Sequence, residues 1–208
     1  ITVTGSQKGF MLPVGLAILG LSAKAQAAME TATLPRTFFD FRDMRKSYAV
    51  GGYPYTPAVG LLNGLSTACD LLLREGLESV WARHNRIAEG VRRAIAGWGL
   101  RPCAISPDLY SDTVTAVVVP EGCNGTDLAK LAAEKYDMAF GVGLGEVAGK
   151  VFRIGHLGSL TDAMMLSGLA VAEMCMADLG WQVRLGSGVA AAQDYYRSSA
   201  PAQARQAA

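Results

Sequence analysis

The chain lacks the residue patterns that mark several classes of protein. Its 208 residues include four cysteines without a C-x-x-C pair and only two histidines, which predicts neither a disulfide framework nor a metal cluster. Lysine and arginine number 19 against 18 acidic residues, and the net charge is +1. No basic segment of the kind that binds nucleic acid is present. We therefore expect a cytoplasmic protein with reduced thiols, no metal and no nucleic-acid partner.

Long hydrophobic runs are also absent. The apolar run from Phe10 to Leu21 is too short to span a bilayer, and the run from Ala163 to Leu179 contains Glu173 and Asp178. The sequence therefore predicts no membrane partner, and its C-terminus is not the S-K-L signal of peroxisomal proteins. Because the chain opens at Ile1 without a methionine, we expect it to be a piece of a longer protein.

Hydrophobic periodicity alternates between strand-like and helix-like segments, which predicts an α/β organisation. Gly76 separates two helical patterns. Residues 193–208 have no hydrophobic period and are predicted to be a frayed tail. The predicted helices cover residues 23–30, 58–74, 77–98, 127–136 and 162–179, and the predicted strands cover 14–21, 100–104, 113–119 and 150–154.

Lys8 lies between the apolar start of a strand and an apolar run. A lysine ammonium is costly to bury unless it is paired, so a lysine in such a stretch indicates chemistry. A desolvated lysine amine is the nucleophile that forms Schiff bases with carbonyl compounds, including pyridoxal phosphate. The surrounding small and polar residues fit a solvated loop lysine equally well, so the motif alone leaves both interpretations open.

Arg153 interrupts an otherwise apolar strand pattern at residues 150–154. A guanidinium in that position needs a carboxylate, which its planar fork binds bidentately. The carboxylate could belong to a substrate or to an internal Asp or Glu, and the sequence leaves both open. His156 and Gly158 follow as weaker candidates for lining a pocket, whereas His84 is expected at the edge of the core.

Six motifs resemble one enzyme family when they are taken together and in order. They are Thr4-Gly5-Ser6-Gln7-Lys8-Gly9, Tyr53-Pro54-Tyr55-Thr56-Pro57, Glu75-Gly76-Leu77-Glu78, Thr113-Val114-Thr115-Ala116-Val117 with Val119-Pro120, Gly149-Lys150-Val151-Phe152-Arg153-Ile154-Gly155-His156-Leu157-Gly158, and Gly186-Ser187-Gly188-Val189-Ala190-Ala191-Ala192. They resemble the C-terminal half of the alanine/serine–glyoxylate aminotransferases, which are class V enzymes of fold-type I that depend on pyridoxal 5'-phosphate. The second and last motifs are more similar to the serine–glyoxylate branch.

The resemblance implies a fold, a domain organisation and an activity. Residues 1–75 would form the C-terminal portion of the cofactor-binding large domain, residues 76–192 a small α+β domain, and residues 193–208 a tail. The implied reaction transfers an amino group from a small L-amino acid, with serine favoured, to glyoxylate by a ping-pong mechanism. Alanine or aspartate is the alternative donor on the same site. An alternative of another class is a non-catalytic dimerisation and substrate-domain fragment of a longer enzyme.

The resemblance also implies roles for individual residues. Lys8 would form the Schiff base and transfer the proton, and Gln7 would contact the cofactor phosphate. Tyr53 and Thr56 would donate hydrogen bonds to the phosphate of the neighbouring subunit's cofactor, although Tyr53 stacking on nearby prolines is the alternative. Arg153 would bind the substrate carboxylate. The implied enzyme is therefore a homodimer with a shared active site, which an isolated monomer could not complete.

Overall fold

The structure, a computed structural model, describes residues 1–199 of the chain. These residues divide into two compact units between Glu75 and Gly76. No helix among residues 1–199 is long and apolar enough to cross a membrane.

The first unit contains a two-stranded antiparallel sheet and three helices. Strand β1 (Thr2–Gly5) pairs with β2 (Ala17–Gly20). The helices are α1 (Ala23–Thr31), α2 (Phe41–Ala49) and α3 (Val59–Glu75). Two of the helices begin at side-chain caps, because Ser22 accepts a hydrogen bond from Ala25 N and Asp40 accepts one from Arg42 N.

The strand predicted at residues 14–21 is shorter in the structure and begins only at Ala17. Pro13 has no backbone N–H to donate, and Gly15 has a φ of +148°, which an L-residue rarely adopts. Both residues break the extended conformation before the apolar run can pair. The apolar run therefore begins as a loop and ends as a strand.

Few side chains of the first unit are buried. Its buried residues within the described chain are Ser6, Asp40 and Ala68. Large apolar side chains of the same unit remain exposed, among them Ile1, Val3, Val14, Leu34, Phe38, Phe39, Val50, Tyr53, Val59, Leu71 and Leu73. Burial of apolar surface therefore contributes little to the stability of this unit within the described chain, and hydrogen bonds hold its loops.

The second unit packs a four-stranded antiparallel sheet against helices. The strands are β3 (Arg101–Pro102), β4 (Val114–Val118), β5 (Gly141–Val142) and β6 (Val151–Gly155), in the order β3-β4-β6-β5. The helices are α4 (Leu77–Gly97), α5 (Gly125–Tyr136), α6 (Asp162–Asp178) and α7 (Ser187–Ser198).

One face of this sheet carries the core of the second unit. Val117 of β4 lies opposite Phe152 of β6, and both belong to the buried cluster together with Ile154. The helices contribute the other large members of this cluster, including Ile87, Val91, Ile95, Leu128, Leu169 and Met176. Because side chains alternate along a strand, Arg153 lies on the opposite face.

Most of the predicted elements of the second unit are confirmed. Helices α4, α5 and α6 and strands β4 and β6 lie within two residues of their predicted bounds. Helix α5 begins at Gly125 rather than at the predicted Asp127, because Asn124 caps it and its Oδ1 accepts a hydrogen bond from Thr126 N at 2.9 Å. Strand β5 was missed, since two residues are too short to show a period.

The prediction of a frayed tail from residue 193 is wrong for residues 193–198, which belong to α7. Tyr196 is buried, and its hydroxyl donates to the Ile87 carbonyl at 2.9 Å. A Cβ at Gly90 of α4 would collide with the Tyr196 ring, so the glycine allows the two helices to approach closely. The buried positions of α7 are Gly188, Ala192 and Tyr196, and the small size of the first two makes its hydrophobic period weak. Residues 200–208 lie outside the described residues.

A buried carboxylate joins three helices of the second unit. Glu173 of α6 accepts hydrogen bonds from Trp98 Nε1 at 2.8 Å, Gly188 N at 2.7 Å and Val189 N at 3.0 Å, and also from Gly186 N. The first N–H groups of a helix have no partner within the helix, and a carboxylate is favoured at that end of the helix dipole. Glu173 therefore fixes where α7 begins.

Arg86, in the middle of α4, joins this helix to the start of α6 and to the end of α7. Its guanidinium binds the Asp162 carboxylate at the start of α6 with two bonds of 2.6 and 2.8 Å. It also donates to the carbonyls of Tyr196 and Ser199 at the end of α7, at 2.8 and 2.9 Å. The positive charge therefore lies at the negative end of the α7 dipole, where it is favoured.

A fully buried histidine holds the corner that follows β6. His156 Nδ1 lies 3.0 Å from the Asp112 carbonyl, which can only accept, so Nδ1 carries the hydrogen. The other nitrogen, Nε2, then accepts from the Thr115 hydroxyl at 2.9 Å. Burial lowers the pKa of His156 to about 4. His156 is thus a neutral structural residue and does not line an open pocket.

We predict that this histidine makes the stability of the protein depend on pH. The pKa of His156 is about 4 in the folded protein against 6.5 for an ordinary histidine, so the unfolded chain binds more protons between these values. Its contribution to stability is complete above pH 6.5 and is lost as the pH falls towards 4. The loss amounts to at most about 3 kcal/mol.

Urea unfolding at pH 7 and pH 4.5 would measure this effect. Between pH 7 and pH 4.5, the free energy of unfolding should decrease more for the unmodified protein than for the non-titrating variant His156→Gln. The comparison cancels the carboxylates that titrate in both proteins. An equal pH dependence in the two proteins would show that His156 is not responsible.

Candidate functional site

Lys8 lies in the loop that joins β1 to β2. Its backbone N–H donates to the Gly5 carbonyl at 3.1 Å, and its carbonyl accepts from Met11 N at 2.9 Å. The Lys8 side chain is exposed and forms no ion pair with any residue from 1 to 199. The loop therefore holds the backbone of Lys8 on both sides and leaves its amine available to react.

Ser6 stabilises this loop, although the sequence pattern gave it no predicted role. It is fully buried, and its hydroxyl donates to the Pro13 carbonyl at 2.7 Å and accepts from Leu16 N at 3.1 Å. Its backbone N–H donates to the Leu16 carbonyl, and its carbonyl accepts from Leu12 N, both at 3.0 Å. The only sequence signal was a small hydroxyl residue within the lysine motif. Four hydrogen bonds through Ser6 thus fix the two sides of the loop.

The lysine loop also packs against helix α3 through two glycines. A Cβ at Gly64 would lie 2.9 Å from Leu12 Cδ2, and a Cβ at Gly15 would lie 2.6 Å from Leu61 Cδ1. Both distances are too short for a real Cβ. Glycine at these positions therefore lets the loop approach α3, the helix that begins just after the Tyr53–Thr56 segment.

Gln7 lies on the exposed side of the lysine loop. Its side-chain amide folds over Gly5, where an added Cβ would lie 2.5 Å from Gln7 Oε1. No hydrogen bond of the Gln7 amide occurs within the described part of the chain. The amide is therefore available for an external acceptor.

Tyr53 and Thr56 lie in an irregular segment between α2 and α3, and both are exposed. The Tyr53 ring lies edge-on to Tyr48, with centroids 5.2 Å apart, and a hydrogen bond with Tyr53 together with burial raises the pKa of Tyr48 to about 12. Tyr55 stacks on Phe38 at 4.3 Å. No hydrogen bond links Tyr53 or Thr56 to Lys8 within residues 1–199. The aromatic contacts order the segment and leave the Thr56 hydroxyl exposed.

Arg153 lies on β6 of the second unit, between two small residues of the neighbouring strands. Ala116 of β4 is paired with it on one side and Gly141 of β5 on the other. Arg153 Nε is buried without a hydrogen-bond partner, and no Asp or Glu of the described chain forms an ion pair with the guanidinium. The internal salt bridge that the sequence left open is therefore not found in the described residues. An unpaired buried donor is costly, which favours an external carboxylate here.

The glycine-rich segment 141–145 supports Arg153 and is not a phosphate loop. Its first two residues form β5, and a 3₁₀ turn at Gly145–Val147 follows instead of the long helix of a phosphate-binding loop.

The residues in these segments have the chemistry that pyridoxal phosphate requires. The exposed amine of Lys8 suits the aldehyde of the cofactor, and the hydroxyls of Tyr53 and Thr56 suit a phosphate. The unpaired guanidinium of Arg153 suits the carboxylate that amino acids and oxo acids share.

No protein-family model matches the chain, whereas individual proteins match it over most of its length. An L-aspartate–glyoxylate aminotransferase of Paracoccus denitrificans is 65% identical over 208 residues, covering all of this chain and 52% of that protein. A serine–glyoxylate aminotransferase of Hyphomicrobium methylovorum is 51% identical over 200 residues, covering 95% of this chain and 49% of that protein.

A solved structure of the pyridoxamine–pyruvate aminotransferase from Mesorhizobium loti has the same fold, with a TM-score of 0.89 at 35% identity. The match covers 95% of this chain and 52% of that one. The chain thus spans about half the length of the curated relatives it matches. Its sequence and its mixed helix and strand architecture agree on one assignment: it belongs to the class V, fold-type I aminotransferases that depend on pyridoxal phosphate, in the alanine/serine–glyoxylate family.

Proposed function

We propose that the complete protein transfers the amino group of a small L-amino acid to glyoxylate, giving glycine and a 2-oxo acid in a ping-pong reaction. The observation that carries this proposal is the exposed amine of Lys8 on a loop braced by Ser6. The names of relatives that are 65% and 51% identical to the chain support glyoxylate as the acceptor.

Serine and aspartate are both supported as the amino donor. The relative from Hyphomicrobium methylovorum is named for serine, and the motifs of the chain resemble the serine branch. The relative from Paracoccus denitrificans is named for aspartate and has the higher identity of the two. The ratio of kcat/KM for serine, aspartate and alanine, each with glyoxylate, would identify the donor.

Each residue has a separate task in the proposed reaction. When bound, pyridoxal phosphate supplies an aldehyde that takes up amines and a ring that withdraws electrons from the donor Cα. Lys8 would hold the cofactor through its amine, and the same amine would take the proton from the donor Cα. The Gln7 amide and the hydroxyls of Tyr53 and Thr56 bind the phosphate. Arg153 binds the α-carboxylate and so orients the Cα–H bond.

We further propose the domain and subunit arrangement of the family. Residues 1–75 would be the C-terminal portion of the cofactor-binding large domain, and the unit that starts at Gly76 would be the small domain. The exposed Tyr53 and Thr56 support a homodimer in which these residues act on the cofactor of the partner subunit. The four cysteines are free, which supports a cytoplasmic location.

We predict that Lys8→Ala abolishes turnover in the complete protein. Loss of the carrier amine and proton-transfer group should reduce kcat by at least about 10³-fold. Intact mass after borohydride reduction should show a pyridoxyl group on the unmodified protein and none on the variant. Lys24→Ala, which removes an exposed lysine of α1, is the matched control and should keep both activity and adduct.

Robust turnover by the Lys8→Ala variant would overturn the central role of Lys8. Absence of the adduct from the unmodified complete protein would overturn the Schiff-base role of Lys8. Absence only from the 208-residue chain would favour the alternative of a non-catalytic dimerisation and substrate-domain fragment.

We predict that Arg153→Lys raises KM for glyoxylate and for the amino donor together. Both substrates carry the carboxylate, and loss of a bidentate charge-assisted pair should raise each KM about 10- to 100-fold. Steady-state kinetics with each substrate varied in turn would measure the effect. Arg101→Lys, on the exposed edge strand β3, is the matched control and should change neither KM. An increase for only one substrate would contradict the proposed role.

We predict that mixed dimers of Lys8→Ala and Tyr53→Phe chains recover activity. If Tyr53 acts in the partner's site, each mixed dimer contains one site with both residues intact. The activity of purified mixed dimers, made with two affinity tags, would measure the recovery. As the converse control, a Lys8→Ala/Tyr53→Phe chain paired with an unmodified chain should leave no complete site. Recovery in the converse pair alone would show that Tyr53 acts within its own subunit.

A further inference from the structure

We propose that Gly141 is a positioning residue, which keeps the Arg153 guanidinium in place for the substrate carboxylate because it has no side chain. This inference rests on the proposed role of Arg153.

Strand register places Gly141 beside Arg153. In the antiparallel pair of β5 and β6, Gly141 lies directly opposite Arg153 and Val142 lies opposite Phe152. Directly paired residues share one face of a sheet. Since Phe152 faces the core, Gly141 and Arg153 share the other face. The arginine side chain therefore extends along the position that a side chain at residue 141 would occupy.

The distances show that this space is filled by the arginine. A Cβ added to Gly141 would lie 3.0 Å from Arg153 Nε, 3.1 Å from its Cβ and 3.4 Å from its Cζ. Van der Waals contacts between carbon atoms are optimal at roughly 3.5–4.0 Å, so a methyl group would push the guanidinium aside. The guanidinium thus lies against the backbone of β5.

Backbone conformation does not explain the glycine. Gly141 is absent from the residues with positive φ, whereas Gly145 and Gly149, which follow it, have φ values of +56° and +72°. Any L-residue could adopt the extended conformation of Gly141 in β5. A side chain at residue 141 would instead displace Arg153 by a few tenths of an ångström, because the arginine lies in the space that a Cβ would occupy.

Packing is what holds the guanidinium when no substrate is present. Arg153 Nε has no hydrogen-bond partner, and the described residues provide no carboxylate to fix the group. Bidentate binding of a carboxylate requires N–O distances of about 2.7–2.9 Å for both bonds at once. A shift of a few tenths of an ångström at Nε therefore weakens carboxylate binding without touching the cofactor.

The expected result of Gly141→Ala is a selective loss of carboxylate affinity. KM for glyoxylate and for the amino donor should each rise about 3- to 10-fold, while kcat and the borohydride-stable adduct should stay unchanged. The dissociation constant of glycolate, a carboxylate without a carbonyl group, should rise by the same factor in calorimetry. Gly168→Ala is the matched control, because a Cβ at Gly168 in α6 meets nothing within 4 Å.

A double-mutant cycle with Arg153→Ala separates positioning from a general structural effect. In the Arg153→Ala background, which lacks the guanidinium, Gly141→Ala should change kcat/KM and the dissociation constant of glycolate less than twofold. If the Gly141→Ala variant folds poorly, the melting temperatures of the four proteins of the same cycle would be compared. Adding Arg153→Ala should then restore most of the melting temperature that Gly141→Ala lowers. An equal effect of Gly141→Ala in both backgrounds would overturn the inference.

The outcome also distinguishes this inference from the proposed function. If Arg153→Lys raises both KM values and Gly141→Ala changes neither, the role of Gly141 is wrong and the role of Arg153 stands. If Arg153→Lys leaves both KM values unchanged, the carboxylate role of Arg153 and the inference drawn from it both fail.

Discussion

Burial of the Glu173 carboxylate is the constraint on which the second unit depends. A buried charge is tolerated only when donors surround it, and here the Trp98 indole and three backbone N–H groups at the start of α7 do so. These bonds join α4, α6 and α7 at one point, and the Arg86 guanidinium joins them again at the other end of α7. The helices then cover one face of the sheet, which leaves the other face for Arg153.

The two units hold their chemical groups by different means. In the first, few side chains are buried within the described chain, and the hydrogen bonds of Ser6 define the loop around Lys8. In the second, strand register and a packed core position Arg153. A reactive amine needs access to its carbonyl partner, whereas a carboxylate receptor needs a guanidinium whose fork does not move. The hairpin loop suits the first task and the sheet suits the second.

Much of the fold followed from the sequence, with exceptions at β2, β5 and α7. Helices α3 and α4 have long apolar periods, and α6 is a long segment that is apolar on most sides. Thr161 caps α6 as predicted, with its hydroxyl accepting from Met164 N at 3.3 Å. The two-residue strand β5 is too short for a period, and two of the three buried positions of α7 carry small side chains. Ser6 and Gly141 are also small residues, and neither was identified from its neighbours in the chain.

The sequence by itself determined the elements with strong periods. It also identified two candidate residues, Lys8, which lies between two apolar segments, and Arg153, which interrupts an apolar strand pattern. Tertiary structure decided what surrounds them. Ser6 bonds to residues up to ten positions away, and Glu173 bonds to Trp98 across 75 positions of the chain. The residues next to each partner in the sequence do not predict such pairs, because the contacts form only once strands and helices have packed. The same reason applies to Gly141, whose missing side chain matters only because β5 pairs with β6 beside Arg153.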